Sequence, residues 1–214
     1  GKGEEPMRLR DGDTLVFFGD SITRRSEIKD AADPRIKFSL NYDDSYVDLF
    51  LQRLVIHYPK LNLKTYNLGV GGDTVNGLME RFWELESLKP NWVVLCIGQN
   101  DAKTLSPAQF QEQLSYLLEQ LADLGCKTVQ LTTTPCPYSR EKDEKLLVFD
   151  TIIRQLDERF AIPCLDVKTH LRQIMLDNDT APVPVNLFAG GCHLSRLGNQ
   201  YLADAVYDYF TGKD

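Results

Sequence analysis

The sequence predicts an α/β fold, a three-layer α/β/α sandwich built on a parallel sheet of about five strands. Short apolar runs at residues 15–18, 61–67, 92–97, 128–131 and 162–165 have the length and composition of buried strands. Between them lie amphipathic segments with apolar residues at i, i+3, i+4 and i+7. Strands that alternate with helices form parallel sheets covered on both faces, which is why these apolar runs are continuous.

The predicted elements are bounded by residues that favour turns and caps. Glycine follows the first three strands closely, at positions 19, 69 and 98, and Gly125 stands where a helix C-cap belongs. The apolar faces of the predicted helices are formed by Val47, Phe50, Leu51, Leu54 and Val55, by Phe110, Leu114, Leu117, Leu118, Leu121 and Leu124, by Phe149, Ile152, Ile153, Leu156 and Phe160, and by Leu202, Ala205, Val206 and Tyr209.

The composition is that of one globular domain, assigned to residues 1–214 with an N-terminal tail at residues 1–12. Apolar residues make up 43% and charged residues 26%, and no linker or repeat divides the chain. The net charge of −7 argues against a nucleic-acid partner, because phosphate backbones require a basic face. No stretch approaches the roughly 20 apolar residues of a membrane span. No secretory segment opens the sequence, so the compartment stays open between cytoplasm and secretion after removal of a signal peptide.

Cysteine and histidine usage limits the chemistry. The five cysteines are an odd number without CxxC spacing, which argues against a disulfide framework and against a zinc site. Cys192 is expected to be a small packing residue. Of the three histidines, His57 lies in a predicted helix, His170 follows the last predicted strand and His193 precedes the last helix. No cofactor and no metal is expected.

Four polar segments follow strands or precede a helix, and ligands of parallel sheets bind beyond the carboxyl ends of the strands. They occupy residues 19–23 (Gly-Asp-Ser-Ile-Thr), 67–74 (rich in glycine), 98–101 (Gly-Gln-Asn-Asp) and 190–195 (Gly-Gly-Cys-His-Leu-Ser). A serine on a tight turn exposes its hydroxyl, glycines let backbone N–H groups approach a ligand, and an asparagine amide suits an oxyanion. Taken singly, each segment is explained better by turn and capping roles.

Taken together and in this order, the four segments resemble the signature blocks of the SGNH/GDSL hydrolase family, from residue 15 to about residue 209. Residues 45–49 and 67–75 resemble its small esterase branch, near the rhamnogalacturonan acetylesterases. The resemblance implies a flavodoxin-like SGNH hydrolase fold and a carboxylic ester hydrolase with Ser21 as nucleophile and His193 as general base, then acid. It also implies an oxyanion hole formed by the N–H groups of Ser21 and Gly72 and the side chain of Asn100.

The residues themselves agree with these roles, but one position departs from the family pattern. A serine hydroxyl is a weak nucleophile that needs an adjacent base, and His193 is the best placed histidine. The family's aspartate three residues before that histidine is replaced by Gly190. Three interpretations stay open: a Ser21–His193 dyad with a backbone carbonyl orienting the ring, a substitute acid such as Asp177 or Asp179, or a weak or inactive hydrolase that retains binding.

The resemblance also implies a substrate, a small-molecule or carbohydrate acyl ester, with an O-acetyl group on a sugar as the first expectation. The alternative is a catalytically weak or inactive carbohydrate- or ligand-binding protein on the same fold. A flavin carrier fits the order of layers but not the four segments. Residues 24–42 form a basic connection, interpreted either as a solvated loop or as a lid over an anionic or sugar substrate. The oligomeric state stays open.

Overall fold

A parallel sheet lies at the centre of the computed structural model, which describes residues 7–24, 45–182 and 186–212. The basic segment proposed as a lid lies outside the described residues apart from Arg24. The sheet contains β1 (Thr14–Gly19), β2 (Lys64–Gly69), β3 (Trp92–Cys96), β4 (Lys127–Leu131) and β5 (Cys164–Leu165), in the order β2-β1-β3-β4-β5. All neighbours are parallel, so the predicted fold class is confirmed.

Helices cover both faces of this sheet. They are α1 (Tyr46–His57), α2 (Val75–Glu80), α3 (Trp83–Leu88), α4 (Pro107–Leu124), α5 (Arg140–Arg159), α6 (Val167–Asp179) and α7 (Arg196–Thr211). A short antiparallel pair, β6 (Phe188–Gly190) and β7 (His193–Leu194), precedes α7. The sequence did not predict α3, α6 or this strand pair. No described helix has both the length and the apolarity that crossing a membrane requires.

The core has two halves because successive strand residues point to opposite faces of the sheet. In β1, Leu15 and Phe17 pack with α1, α6 and α7, whereas Val16 and Phe18 pack with α2 to α5. Two predicted details were wrong. Val55 is 63% exposed, because the buried face of α1 consists of Tyr46, Val47, Leu49, Phe50 and Leu54. The second strand was predicted from residue 61 but begins at Lys64. The two leucines before it, at 61 and 63, lie outside the strand and pack partly buried against the core.

The carboxyl ends of the three neighbouring strands are level. Gly19 at the end of β1 pairs with Gly69 of β2 on one side and with Cys96 of β3 on the other. The chain leaves β1 for β2 on one side of the sheet and then enters β3 on the other, so the strand order reverses between β1 and β3. A crevice at such a switch point is the usual ligand site of open α/β sheets.

The N-terminal tail expected at residues 1–12 is packed against the domain where the structure describes it. The Leu9 side chain is 3% exposed within the core, and the Arg8 N–H donates to the carbonyl of Phe210 at 2.8 Å.

A buried carboxyl lies far from the switch point. Asp157 of α5 accepts a hydrogen bond from the Gln130 amide of β4 at 2.6 Å. Burial raises the pKa of Asp157 from 3.8 to about 7, against the opposing effect of that hydrogen bond. A carboxyl with a higher pKa in the folded state binds its proton more tightly there. Its contribution to stability is therefore fully present below pH 4 and is lost as the pH rises to about 7.

Asp157→Asn should remove this pH dependence. Because the amide is never charged, the variant should gain free energy of unfolding relative to the wild type between pH 5 and pH 8, by up to about 3 kcal/mol. Urea denaturation at both pH values measures the difference. Asp123→Asn, at an exposed position of α4, is the matched control and should show no such gain. Parallel pH profiles for the Asp157→Asn variant and the wild type would contradict the prediction.

Candidate active site

Ser21 lies on the turn that directly follows β1. The Asp20 carboxylate accepts the N–H of Ile22 at 2.9 Å, and the Asp20 carbonyl accepts the N–H of Arg24 at 2.7 Å, so the turn is closed around the serine. The Ser21 side chain is half-buried, and its Oγ lies 3.1 Å from Nε2 of His193. The structure therefore brings together two predicted site residues that are 172 positions apart in the chain.

The glycine-rich segment after β2 runs beside this turn. A Cβ at Gly69 would lie 2.1 Å from the backbone nitrogen of Arg24, so only glycine lets the serine turn pack over β2. Gly72 has φ of +79°, a left-handed conformation that glycine adopts without strain. Within the described parts of the chain, the backbone N–H groups of Ser21 and Gly72 donate to no protein acceptor. Both groups are therefore available to a ligand.

Asn100 follows β3 and joins the third segment to the second. Its Nδ2 donates to the carbonyl of Asp73 at 3.0 Å, which fixes the orientation of the amide. An asparagine amide has two N–H donors, and this contact uses one of them. The second donates to no protein acceptor within the described residues. Ser21, Gly72 and Asn100 thus follow β1, β2 and β3, the three strands that end level.

Arg81 lies between α2 and α3 and connects the serine turn with the glycine-rich segment. Sequence analysis did not identify this residue. Its Nε donates to the Asp73 carboxylate at 2.8 Å and its Nη2 donates to the Gly19 carbonyl at 3.0 Å. The guanidinium also lies 4.8 Å from the centre of the Phe18 ring. Asp73 is therefore an ion-pair partner, and its Oδ1 also accepts the N–H of Thr74, while Thr74 itself caps α2 by accepting the N–H of Gly77. Nothing in the spacing of Asp73 and Arg81 marked this contact in advance.

Two buried carboxyls lie behind the serine turn. Burial raises the pKa of Asp20 to about 7, and the negative charges of Asp101 and Asp73 add to the effect of burial. Burial likewise raises the pKa of Asp101 to about 6, although its carboxylate accepts the N–H of Val75 at 3.0 Å. Both groups keep a proton to a higher pH than an ordinary aspartate. Below about pH 6 this reduces the negative charge behind the serine turn.

His193 stands on β7, directly opposite Gly190 of β6. The imidazole is exposed, and within the described residues its hydrogen bond to Ser21 is the one recorded for it. A Cβ at Gly190 would meet no atom within 4 Å. Asp177 instead accepts the amide of Gln173 at 2.9 Å, and both Asp177 and Asp179 are exposed at the end of α6 without a recorded contact to His193. Within the described residues, neither acid makes a contact that would orient His193.

Comparison with known proteins identifies the family. The model of the GDSL-like lipase/acylhydrolase family matches residues 17–201. The chain belongs to this family. The enzyme class that the sequence predicted, a carboxylic ester hydrolase, is therefore confirmed at the level of the family.

Individual relatives of this GDSL-like protein share about half of its length. An acetylxylan esterase of Geobacillus stearothermophilus is 33% identical over 133 residues, 60% of this chain and 58% of the relative. The uncharacterized lipoprotein YqeF of Bacillus subtilis (strain 168) is 28% identical over 129 residues, 56% of this chain and 48% of the relative. The chain thus matches only about half the length of these curated relatives.

Solved structures support the fold over nearly the whole chain. An acetyl xylan esterase variant from Geobacillus stearothermophilus has a TM-score of 0.78 at 22% identity, covering 97% of this chain and 99% of its own. An alpha/beta hydrolase enzyme from the metagenome of Lake Arreo, Spain, has a TM-score of 0.77 at 24% identity, covering 97% and 98%.

A disulfide beside His193 corrects the expectation from cysteine counting. Cys136, in the segment after β4, is bonded to Cys192, which is 56 positions further along the chain, and the two Cα atoms are 4.8 Å apart. Cys192 does pack, partly buried, against the core as expected, but it is also disulfide-bonded, which the sequence did not predict. The other three cysteines are free. An odd number of cysteines shows only that they cannot all be paired within one chain. It does not exclude a single disulfide among them.

Arg81→Gln should lower kcat of this GDSL-like protein toward an activated ester by about 10- to 100-fold, because it removes two charge-assisted hydrogen bonds worth about 1.5–3 kcal/mol each. KM should change little, since Arg81 contacts backbone and Asp73 rather than a ligand. Steady-state hydrolysis of p-nitrophenyl acetate checks both constants. Arg159→Gln, exposed at the end of α5, is the control. An unchanged kcat would show that the three segments hold their places without Arg81.

Proposed function

We propose that the chain is a serine esterase that hydrolyses short-chain acyl esters, above all O-acetyl groups carried by carbohydrates. The contact of 3.1 Å between Ser21 Oγ and His193 Nε2 carries this proposal. Nucleophile and base within hydrogen-bond distance are the signature of covalent catalysis by serine. The location of the pair at the switch point between β1 and β3 supports the same conclusion.

In the proposed reaction, the Ser21 oxygen attacks the ester carbonyl while His193 Nε2 accepts the hydroxyl proton. The carbonyl oxygen becomes an oxyanion, which the N–H groups of Ser21 and Gly72 and the free N–H of Asn100 stabilise. His193 then returns the proton to the departing alcohol. Water, deprotonated by the same imidazole, hydrolyses the acyl-enzyme and frees Ser21.

The substrate class rests on the relatives. The name acetylxylan esterase describes a Geobacillus protein that is 33% identical over part of this chain. The same organism's solved acetylxylan esterase has catalytic variants at an aspartate and a histidine three positions apart. The present chain has Gly190 at the position three residues before His193. The absence of that carboxylate favours the second candidate function, a weak or inactive hydrolase that still binds carbohydrate esters.

The test compares the wild type with Ser21→Ala. We expect the wild type to release acetate from p-nitrophenyl acetate and acetylated xylo-oligosaccharides above the rate of the variant, and a fluorophosphonate probe to label Ser21. Equal rates for the two proteins, together with no labelling, would reject the esterase. Retained binding of the acetylated oligosaccharide by such an unreactive protein, measured by calorimetry, would establish the second candidate.

A further inference from the structure

The strand pair that carries His193 is held to the protein mainly at its base. Phe188 and Leu194 are buried, and the N–H of Ser195 donates to the Leu187 carbonyl at 2.9 Å. Beyond this base, Ala189, Gly190, Gly191 and His193 are all exposed. Within the described residues, two side-chain hydrogen bonds reach the tip of this pair: the contact between His193 and Ser21, and one from Lys142 Nζ to Cys192 Sγ at 3.9 Å.

Cys192 is the exception at this tip, because it is covalently joined to a well-anchored part of the protein. Its partner Cys136 is 1% exposed at the end of a fully buried run, residues 131–136. The N–H of Cys136 donates to the Asp143 carboxylate at 2.8 Å, and that carboxylate also pairs with Arg172 of α6. The disulfide therefore links the residue before His193 to the junction of β4, α5 and α6.

We propose that the Cys136–Cys192 disulfide is the positioning element that keeps His193 within hydrogen-bond distance of Ser21, so that esterase activity depends on the oxidised state of this pair. This inference rests on the proposed function. In a serine triad the carboxylate both orients the imidazole and stabilises its charged form. The disulfide contributes to orienting the imidazole, because it fixes the main chain one residue before His193. It does not stabilise the charged imidazolium, as a carboxylate would.

Reduction should release the tip. Dithiothreitol supplies two electrons and two protons; the S–S bond breaks, two thiols form, and the reagent closes into a cyclic disulfide. With the tip freed, the two exposed glycines that precede Cys192 give the main chain alternatives that move the imidazole away from Ser21. Lys142 Nζ lies 3.9 Å from Cys192 Sγ, so a cation stands beside the thiolate that must form before the bond closes again.

The experiment uses the whole chain in oxidised and reduced forms. Thiol titration should find three free thiols of five before reduction and five afterwards. The reductant is removed by gel filtration under nitrogen, because thiols themselves cleave p-nitrophenyl acetate. We expect kcat to fall at least about tenfold with KM within about twofold, and oxidised glutathione to restore kcat. Cys136→Ala and Cys192→Ala should match the reduced wild type and not respond to reductant. Cys126→Ala, which removes a free thiol far from His193, is the matched control.

A second readout does not need activity. Hydrogen exchange of residues 189–193 should become faster on reduction, while exchange in β1 and β3 stays unchanged. Five free thiols in the native protein, unchanged exchange, or a kcat within twofold after reduction would each overturn the inference. If the cysteine variants fail to fold, the reversible effect on the wild type decides. If the oxidised protein hydrolyses the ester no faster than Ser21→Ala, the proposed function is rejected instead. Hydrogen exchange of residues 189–193 would still test whether the disulfide holds the tip in place.

Discussion

Gly190→Asp should raise kcat toward p-nitrophenyl acetate by about 10²- to 10⁴-fold, since loss of the carboxylate from a serine triad costs about 10⁴. Gly190 and His193 are cross-strand partners, so their side chains project to the same side, with Cβ atoms about 5 Å apart. The space is open, since a Cβ at Gly190 meets nothing within 4 Å. Gly190 does not have a left-handed φ, so an L residue fits there without backbone strain.

Two further variants separate the charge from the added atoms. Gly190→Asn has nearly the same shape but no charge, and Gly190→Ala fills only the Cβ position; both should leave kcat within about threefold of the wild type, because neither stabilises an imidazolium. Ser21→Ala combined with Gly190→Asp should return the rate to background. A rate for Gly190→Asp equal to that of the wild type would show that another group already orients His193.

Asn100→Ala should lower kcat by about 10²- to 10³-fold and leave KM almost unchanged, because removing one oxyanion-hole donor weakens an interaction made in the transition state. The amide reaches the Asp73 carbonyl at 3.0 Å, and within the described residues its other N–H donates to no protein acceptor. Steady-state kinetics with p-nitrophenyl acetate separates the two constants.

Asn100 also holds the Asp73 backbone, so a control must separate catalysis from structure. Asn76→Ala removes an exposed asparagine on α2 whose amide contacts Glu80, and it should leave kcat unchanged. Circular dichroism and the melting temperature of Asn100→Ala report any damage to the fold. A rise in KM equal to the fall in kcat/KM would contradict the oxyanion role and assign Asn100 to ground-state binding.

The sheet and the position of the site were predictable because both depend on local patterns. Continuous apolar strands ending at glycine determine a parallel sheet, and the carboxyl ends of β1, β2 and β3 then gather the segments containing Ser21, Gly72 and Asn100. That Ser21 and His193 lie within hydrogen-bond distance in the fold could not be derived from their spacing in the sequence. It entered through the resemblance to a family whose four blocks occur in the same order.

The features that sequence analysis missed are contacts between distant residues. Arg81 is 62 positions from Gly19, whose carbonyl it binds, and no local pattern records that contact. The Cys136–Cys192 pairing was excluded by a counting argument that treats all cysteines alike, although pairing depends on Cα separation in the fold. Helix α6 directly follows a two-residue strand, and it was missed although its apolar periodicity is comparable to that of α5.

Whether the disulfide forms depends on the compartment in which the protein is produced. Structural disulfides persist outside reducing compartments and are rare in the cytosol, where glutathione and thioredoxin keep thiols reduced. Protein produced in a bacterial cytoplasm would therefore begin with all five cysteines as thiols, including Cys136 and Cys192. The same chain exported to the periplasm would fold with this bond closed. The two preparations should differ in specific activity although their sequences are identical, so the compartment of production belongs among the conditions of any assay.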